Sequence, residues 1–238
     1  VADTYNSRIQ KFNSAGVYQS QFGSAGGQNG QFNYPQGIAL DSSNNIYVAD
    51  TNNYRIQVFN SAGVYQSQFG SNGSADGQFS SPIDIVIDSS NNIYVADYSR
   101  IQKFDSNGVH LATFGAGGSG DGQFSRIEGI ALDEDGNIFA SDSNNYRIQK
   151  FNSAGVYQSQ FGTYGYGDGQ LDNPSGLVLD SNGDILVVDL DNERVQKFNS
   201  EGQFLSNIGI PETSIGAYDI TADDDHNIYV PQIEGRSA

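Results

Sequence analysis

The chain has 238 residues, with 28 Asp and Glu against 11 Lys and Arg, a net charge of −17 and a pI near 4.1, the wrong sign for a phosphate backbone. Cys, Met and Trp are absent, which excludes disulfides, thiolate metal sites and thiol nucleophiles. No apolar run approaches the ~18 residues of a membrane-spanning helix, so no membrane insertion is expected; 37% hydrophobic and 12% aromatic residues are too many for a disordered chain.

The chain opens on Val1-Ala2-Asp3, the close of an apolar run that returns as Ile46–Asp50, Ile93–Asp97, Ile138–Asp142 and Ile185–Asp189. The closing aspartates, Asp3, Asp50, Asp97, Asp142 and Asp189, are 47, 47, 45 and 47 residues apart, and Gln232 occupies the next slot 43 residues on. The stretch NSAGVYQSQFG recurs unchanged at 13–23, 60–70 and 152–162. This periodicity defines five repeats, 1–46, 47–93, 94–138, 139–185 and 186–232, with a tail at 233–238, in one domain over 1–238.

Each repeat predicts four short strands. In the second they cover 37–41, 46–50, 55–59 and 64–69, divided by Ser-Ser-Asn-Asn, Thr-Asn-Asn-Tyr and Asn-Ser-Ala-Gly turns. The first two strands are small and apolar and the fourth, Val-Tyr-Gln-Ser-Gln-Phe, is largely polar, as in a sheet running from a central strand to an exposed rim. Four-stranded antiparallel units of this length repeated about an axis make a β-propeller. The second-to-third loops and the long blade-to-blade loops then share one face. The chain starts within a second strand and ends with a first (219–223) and a second (228–232). A ring closed by strands from both termini is therefore expected, with Val1-Ala2-Asp3 competing for the slot of Val230-Pro231-Gln232. That overlap, with no initiator Met and no signal-peptide pattern, predicts a segment excised from a longer propeller.

The run DGQF…P…GIALD…NIYVAD…NNYRIQ.F…G resembles the NHL repeat over Val1 to about Gly209, with a weaker fit from Ile210 to Val230. The resemblance implies a β-propeller, most often six-bladed, whereas five copies are present; lectins such as tachylectin form five-bladed rings. Asp84 and Asp219 depart from the pattern where most copies have Gly, and Arg126-Ile127 where others have a Pro. Family members include RNA- and protein-binding modules, extracellular sensor domains and a peptidyl-amidating lyase, so the fold does not choose the function.

Asp3/Arg8, Asp50/Arg55, Asp142/Arg147 and Asp189/Arg194 stand five residues apart, and Asp97/Arg100 three apart. A ring of ligand-binding charges is one reading; recurrence in every blade favours structural ion pairs, since catalytic sites break symmetry. Only Arg126 and Arg236 among the basic residues lie outside repeat positions, so no nucleic-acid partner is expected. The turns 133–137, 180–184 and 223–227 resemble fragments of calcium loops without the downstream glutamate; they read as hairpin chemistry, so no cofactor is expected beyond adventitious calcium. The two histidines, His110 and His226, occupy non-equivalent positions and cannot supply the histidine-bound metal that resemblance to the lyase implies. No Gly-x-Ser-x-Gly, P-loop or His-x-x-x-His pattern occurs.

Tyr5, Tyr54, Tyr98 and Tyr146 from the second-to-third loops, and Tyr34, Tyr164 and Tyr166 from the blade-to-blade loops, gather on the long-loop face by position. Rings among amides and hydroxyls suit a glycan or protein ligand, or simply cover blade edges. Ile233-Glu234-Gly235-Arg236 matches a factor Xa cleavage sequence, either a cloning remnant or a native loop. The expectation is a non-catalytic binding or scaffolding propeller, extracellular or at the cell surface, recognising a protein or glycan. The alternatives are a channel-mouth enzyme of the amidating-lyase or lactonase type, with Asp84, Asp219 and Glu128 as mouth carboxylates, and a purely structural repeat module.

Overall fold

The computed structural model describes residues 1–209, 219–223 and 227–230. The fold is all-β, of the β-propeller class, and its helical elements among the described residues are four three-residue 3₁₀ turns. The chain divides into two compact units, Val1–Thr113 and Phe114–Ala238.

The first unit begins with a three-stranded sheet of β1 (Ala2–Asp3), β2 (Arg8–Phe12) and β3 (Tyr18–Phe22). A four-stranded blade follows, β4 (Pro35–Leu40), β5 (Ile46–Asp50), β6 (Arg55–Phe59) and β7 (Tyr65–Phe69). The next is β8 (Pro82–Ile87), β9 (Ile93–Asp97), β10 (Arg100–Phe104) and β11 (His110–Phe114), whose last residue opens the second unit. Consecutive strands pair in these sheets, antiparallel within β1–β3, β4–β7 and β8–β10. β4 packs so closely on β8 that a Cβ at Gly37 would stand 2.6 Å from the Asp84 Cα, which is why β4 carries a glycine there.

The second unit carries a short parallel pair, β12 (Ala116–Gly117) and β13 (Gln123–Phe124), then two complete blades. One is β14 (Ile127–Leu132), β15 (Ile138–Asp142), β16 (Arg147–Phe151) and β17 (Tyr157–Phe161). The other is β18 (Pro174–Leu179), β19 (Ile185–Asp189), β20 (Arg194–Phe198) and β21 (Phe204–Gly209). A strand pair, β22 (Thr221–Ala222) and β23 (Ile228–Tyr229), packs on the last blade through Ile220, Ile228 and Val230. Among the described residues there are thus five blades, the first with three strands and four with four, followed by this pair. Pro231-Gln232 and the Ile233–Arg236 sequence lie outside the described residues, as does His226.

Strand grading follows burial. Every residue of β6, β9 and β15 is buried, whereas β3, β7 and β17, each Tyr-Gln-Ser-Gln-Phe, are mostly exposed. The long loops contribute a plug: Phe32, Phe79, Phe124 and Leu171 are fully buried. Phe32 sits 5.5 Å from Phe59, Phe79 5.6 Å from Phe104 and Phe124 5.5 Å from Phe151, ring centre to ring centre, within the range of favourable aromatic pairs.

Candidate functional site

The repeated Asp and Arg form buried ion pairs that brace the long loops. Asp50 receives Arg55 Nε at 2.8 Å, Asp142 receives Arg147 Nε at 2.8 Å, Asp189 receives Arg194 Nε at 2.7 Å and Asp97 receives Arg100 Nε at 2.9 Å. Asp3–Arg8, at 2.6 Å, is more open. The second carboxylate oxygen accepts a backbone N–H from the preceding blade-to-blade loop: Asn33 on Asp50, Ser80 and Ser81 on Asp97, Ser125 on Asp142 and Asp172 on Asp189. The guanidinium reaches back to loop carbonyls, as Arg147 Nη2 does to Gly120 and Gln123, both at 2.8 Å. A glutamine two residues after each Arg completes the cluster. Gln57, Gln102, Gln149 and Gln196 are fully buried and donate to Gln31, Gln78, Gln123 and Gln170 carbonyls. Sequence reasoning missed these glutamines, although their recurrence in every copy was the available signal.

Two of the turns that resemble calcium loops use their leading aspartate within the turn, and 224–226 of the third lie outside the described residues. Asp133 Oδ1 accepts the Asp135 and Asn137 N–H groups, and Asp180 Oδ1 those of Asn182 and Asp184, while Lys197 pairs with Asp180 and Asp184 at 2.8 Å. Among the described residues no group of three or more His, Cys, Asp and Glu is placed to hold a metal. His110 lies on β11 with its ring nitrogen 2.8 Å from Thr113 Oγ1. Asp84 and Asp219 each accept the N–H of the next residue at 2.8 Å.

The tyrosines of each unit make their own contacts. In the first unit Tyr5 meets Tyr34 edge-on at 5.5 Å, and Tyr5 and Tyr98 are exposed. Tyr54 packs against the core; Tyr54, Tyr98 and Tyr146 all have left-handed backbones closing the second-to-third turn, with φ of 56°, 57° and 58°. Ser7, not Tyr5, fills that slot in the first repeat. In the second unit Tyr146 meets Tyr164 at 4.8 Å and Tyr164 meets Tyr166 at 6.0 Å. The hydrogen bond between the phenols of Tyr164 and Tyr166 pushes Tyr164 up to about 12.

Tyr146 also lines a cleft of about 340 Å³ in the second unit, with Arg126, Glu128, Asp172, Ser175 and Asp191 among its walls. The cleft is built by two β-bulges. Between Ile127 and Ile130, Glu128 and Gly129 oppose the single residue Ser141; between Pro174 and Leu177, Ser175 and Gly176 oppose Val188. A bulge re-aims the extra side chain, here onto the long-loop face. Ser141 Oγ accepts the Gly129 N–H at 2.8 Å and donates to the Gly129 carbonyl at 3.3 Å, so the hydroxyl, present here in place of Ala49, Ala96 and Val188, fixes the bulge that carries Glu128.

Glu128 is largely buried and ion-paired to the half-exposed Arg126. Burial pushes its carboxyl above the ordinary value, against the opposing pull of Arg126. Asp172 is raised by burial and by the neighbouring charges of Asp191 and Asp189. Ser175 is 1% exposed and its Oγ has no hydrogen-bond partner among the described residues. Ser143 donates to Asn173 Oδ1, and the Asp191 N–H donates to the Asp172 carbonyl at 3.2 Å, holding the two loops together.

The equivalent positions in the first unit are Tyr34 for Arg126, Gln36 for Glu128, Ser80 for Asp172 and Ile83 for Ser175. Scaffold residues repeat; these do not. A model of the NHL repeat matches residues 32–59, 124–151 and 171–198. The chain carries NHL repeats. Each matched repeat runs from the buried loop plug to the Phe that ends the third strand.

A comparison with curated proteins by sequence finds no match. Among solved structures, this chain resembles a streptogramin B lyase with a TM-score of 0.67 and 14% identity over 98% of this chain and 69% of the lyase. It resembles a catalytically inactive virginiamycin B lyase from Staphylococcus aureus, solved with quinupristin, with a TM-score of 0.69 and 14% identity over 94% and 70%. A gluconolactonase from Xanthomonas campestris gives 0.70 and 16% over 97% and 77%. These identities establish a shared fold. They also correct the expectation of a non-catalytic binding or scaffolding module: nearly the whole chain superposes on lyases and a lactonase. That expectation rested on missing histidine, cysteine and serine motifs, which register only chemistries that use them. Glu128 and Ser175 come from bulges of two different blades, so no local motif marks them.

Proposed function

We propose that the chain is a propeller enzyme of the lactonase type, opening a cyclic ester at the cleft of the second unit. The observation that carries the reading is the broken symmetry of the bulge positions: Gln36 and Ile83 in the first unit, Glu128 and Ser175 in the second. Glu128 is a carboxylate made more basic by burial, which suits proton transfer near neutral pH. It takes a proton from water as the water oxygen bonds to the lactone carbonyl carbon. The unpartnered Ser175 hydroxyl donates to the carbonyl oxygen as negative charge develops there. The ring C–O bond then breaks, and the proton on Glu128 passes to the leaving alkoxide, giving a hydroxy acid and restoring the carboxylate. Arg126 holds Glu128 in place and the Ser141 brace fixes its backbone.

The test is acid release from a panel of five- and six-membered lactones, gluconolactone included, followed in a pH-stat. The reading expects saturable acid release that Glu128→Gln lowers by about 10²–10⁴. An unsaturated acid formed without incorporation of water would assign the elimination chemistry of a lyase instead, and turnover undiminished in Glu128→Gln would overturn the role of the carboxylate.

A further inference from the structure

The charges of the cleft do not balance. Its one cation, Arg126, is committed to Glu128, whereas no hydrogen bond or ion pair engages the Asp172 or Asp191 side-chain carboxylate among the described residues. The loops that carry them are joined by the bond from the Asp191 N–H to the Asp172 carbonyl, so the two acidic residues line one wall. At equivalent positions the first unit has neutral Ser80, and Tyr98-Ser99 in a turn two residues shorter. The scaffold therefore does not need these charges. Asp172 already feels Asp191 and the buried Asp189, a like-charge crowding that an added cation relieves.

Two further features point the same way. Ser175, 1% exposed and without a partner, borders the acidic wall and is a buried polar atom awaiting a ligand. Tyr146 supplies an aromatic wall backed by Tyr164, and the face of a tyrosine ring attracts a cation. Carboxylates, ring and unpaired hydroxyl together make a pocket for a charged nitrogen beside an oxygen function. We propose that the substrate of this cleft is cationic, an ammonium-bearing hydroxyl or ester compound whose nitrogen sits against Asp172, Asp191 and Tyr146. This rests on the lactonase reading for the site but names the substrate class, which that reading leaves open.

The experiment separates the two. Binding is measured by ligand-observed NMR with choline and with its neutral isostere 3,3-dimethylbutan-1-ol, on the full chain. Choline is expected to bind at least about tenfold more tightly, a difference of about 1.4 kcal/mol. The preference is expected to shrink in Asp191→Asn, an exposed position that leaves the fold intact, and to vanish in Asp172→Asn/Asp191→Asn. Equal binding of the two probes, binding of neither, or a preference that survives the double substitution would overturn the proposal. In parallel, protonated homoserine lactone and uncharged γ-butyrolactone are compared as substrates below the ~7.7 of an α-amino group. Choline preference without turnover of either lactone keeps the cation site and sinks the lactonase reading. Turnover of both at equal kcat/KM does the reverse.

Discussion

Replacing Arg147 by Ala isolates the device that repeats in every blade. Arg147 and Asp142 are both buried, and Arg147 also serves Gln160 and the carbonyls of Gly120 and Gln123. Removing one partner of a buried pair costs about 3–5 kcal/mol because a buried charge is left behind. Here Asp142 keeps three other donors, the Ser125 N–H, Asn145 and Gln149, and Gln123 keeps the Gln149 amide. The expected loss is therefore near the lower end, about 3 kcal/mol. Arg8→Ala removes the same motif where Arg8 is 34% and Asp3 19% exposed; solvent screening reduces that pair to about 0.5–1 kcal/mol. Urea unfolding followed by circular dichroism compares the two variants through their midpoints at unchanged slope. Equal losses, or a larger one for Arg8→Ala, would refute the argument that burial sets the worth of the pair.

Other consequences follow from the same geometry. Because burial raises Glu128, its folded state favours the protonated form; the stability it contributes is full below the unfolded value and is lost as pH rises through the folded one. Glu128→Gln is thus expected to stabilise the protein at neutral pH and to lose that gain on acidification below the ordinary glutamate range, checked by melting temperature against pH. Gly37→Ala places a Cβ 2.6 Å from the Asp84 Cα and 2.8 Å from the Ile83 carbonyl, and is expected to cost about 1–3 kcal/mol in denaturant unfolding. Tyr166→Phe removes the hydrogen bond that raises Tyr164, so ultraviolet titration is expected to show one phenol moving down from about 12 toward the ordinary range.

The strands were legible because each repeat alternates short apolar runs with turn residues, and five near-copies average out local ambiguity. The shared face of the long loops followed from antiparallel connectivity, and in the second unit Arg126, Tyr146, Asp172 and Asp191 do come from those loops. The site was less legible. Arg126 stood out as a missing proline and as a basic residue outside the repeat positions, and Glu128 only as one of three mouth carboxylates. Ser175 was not legible because a bulge is a property of register, and register is not written in any single strand; Asp172 sits in a polar loop where an aspartate carries no signal of its own. Attention to what the copies share led to the Asp–Arg pairs and the tyrosines. The informative positions were the ones where copies disagree: Gln36, Ile83, Glu128 and Ser175, at one bulge position in four blades.

That contrast supplies the most direct test. kcat/KM on the best lactone is measured for the native chain, for Glu128→Gln and for Gln36→Ala, the same bulge position in the first unit. The account expects Glu128→Gln to lose about 10²–10⁴ in kcat/KM while Gln36→Ala stays within about twofold of the native chain, since it only trims a half-buried surface amide. Equal losses at the two positions, or none at Glu128, would contradict a catalytic site confined to the cleft of the second unit.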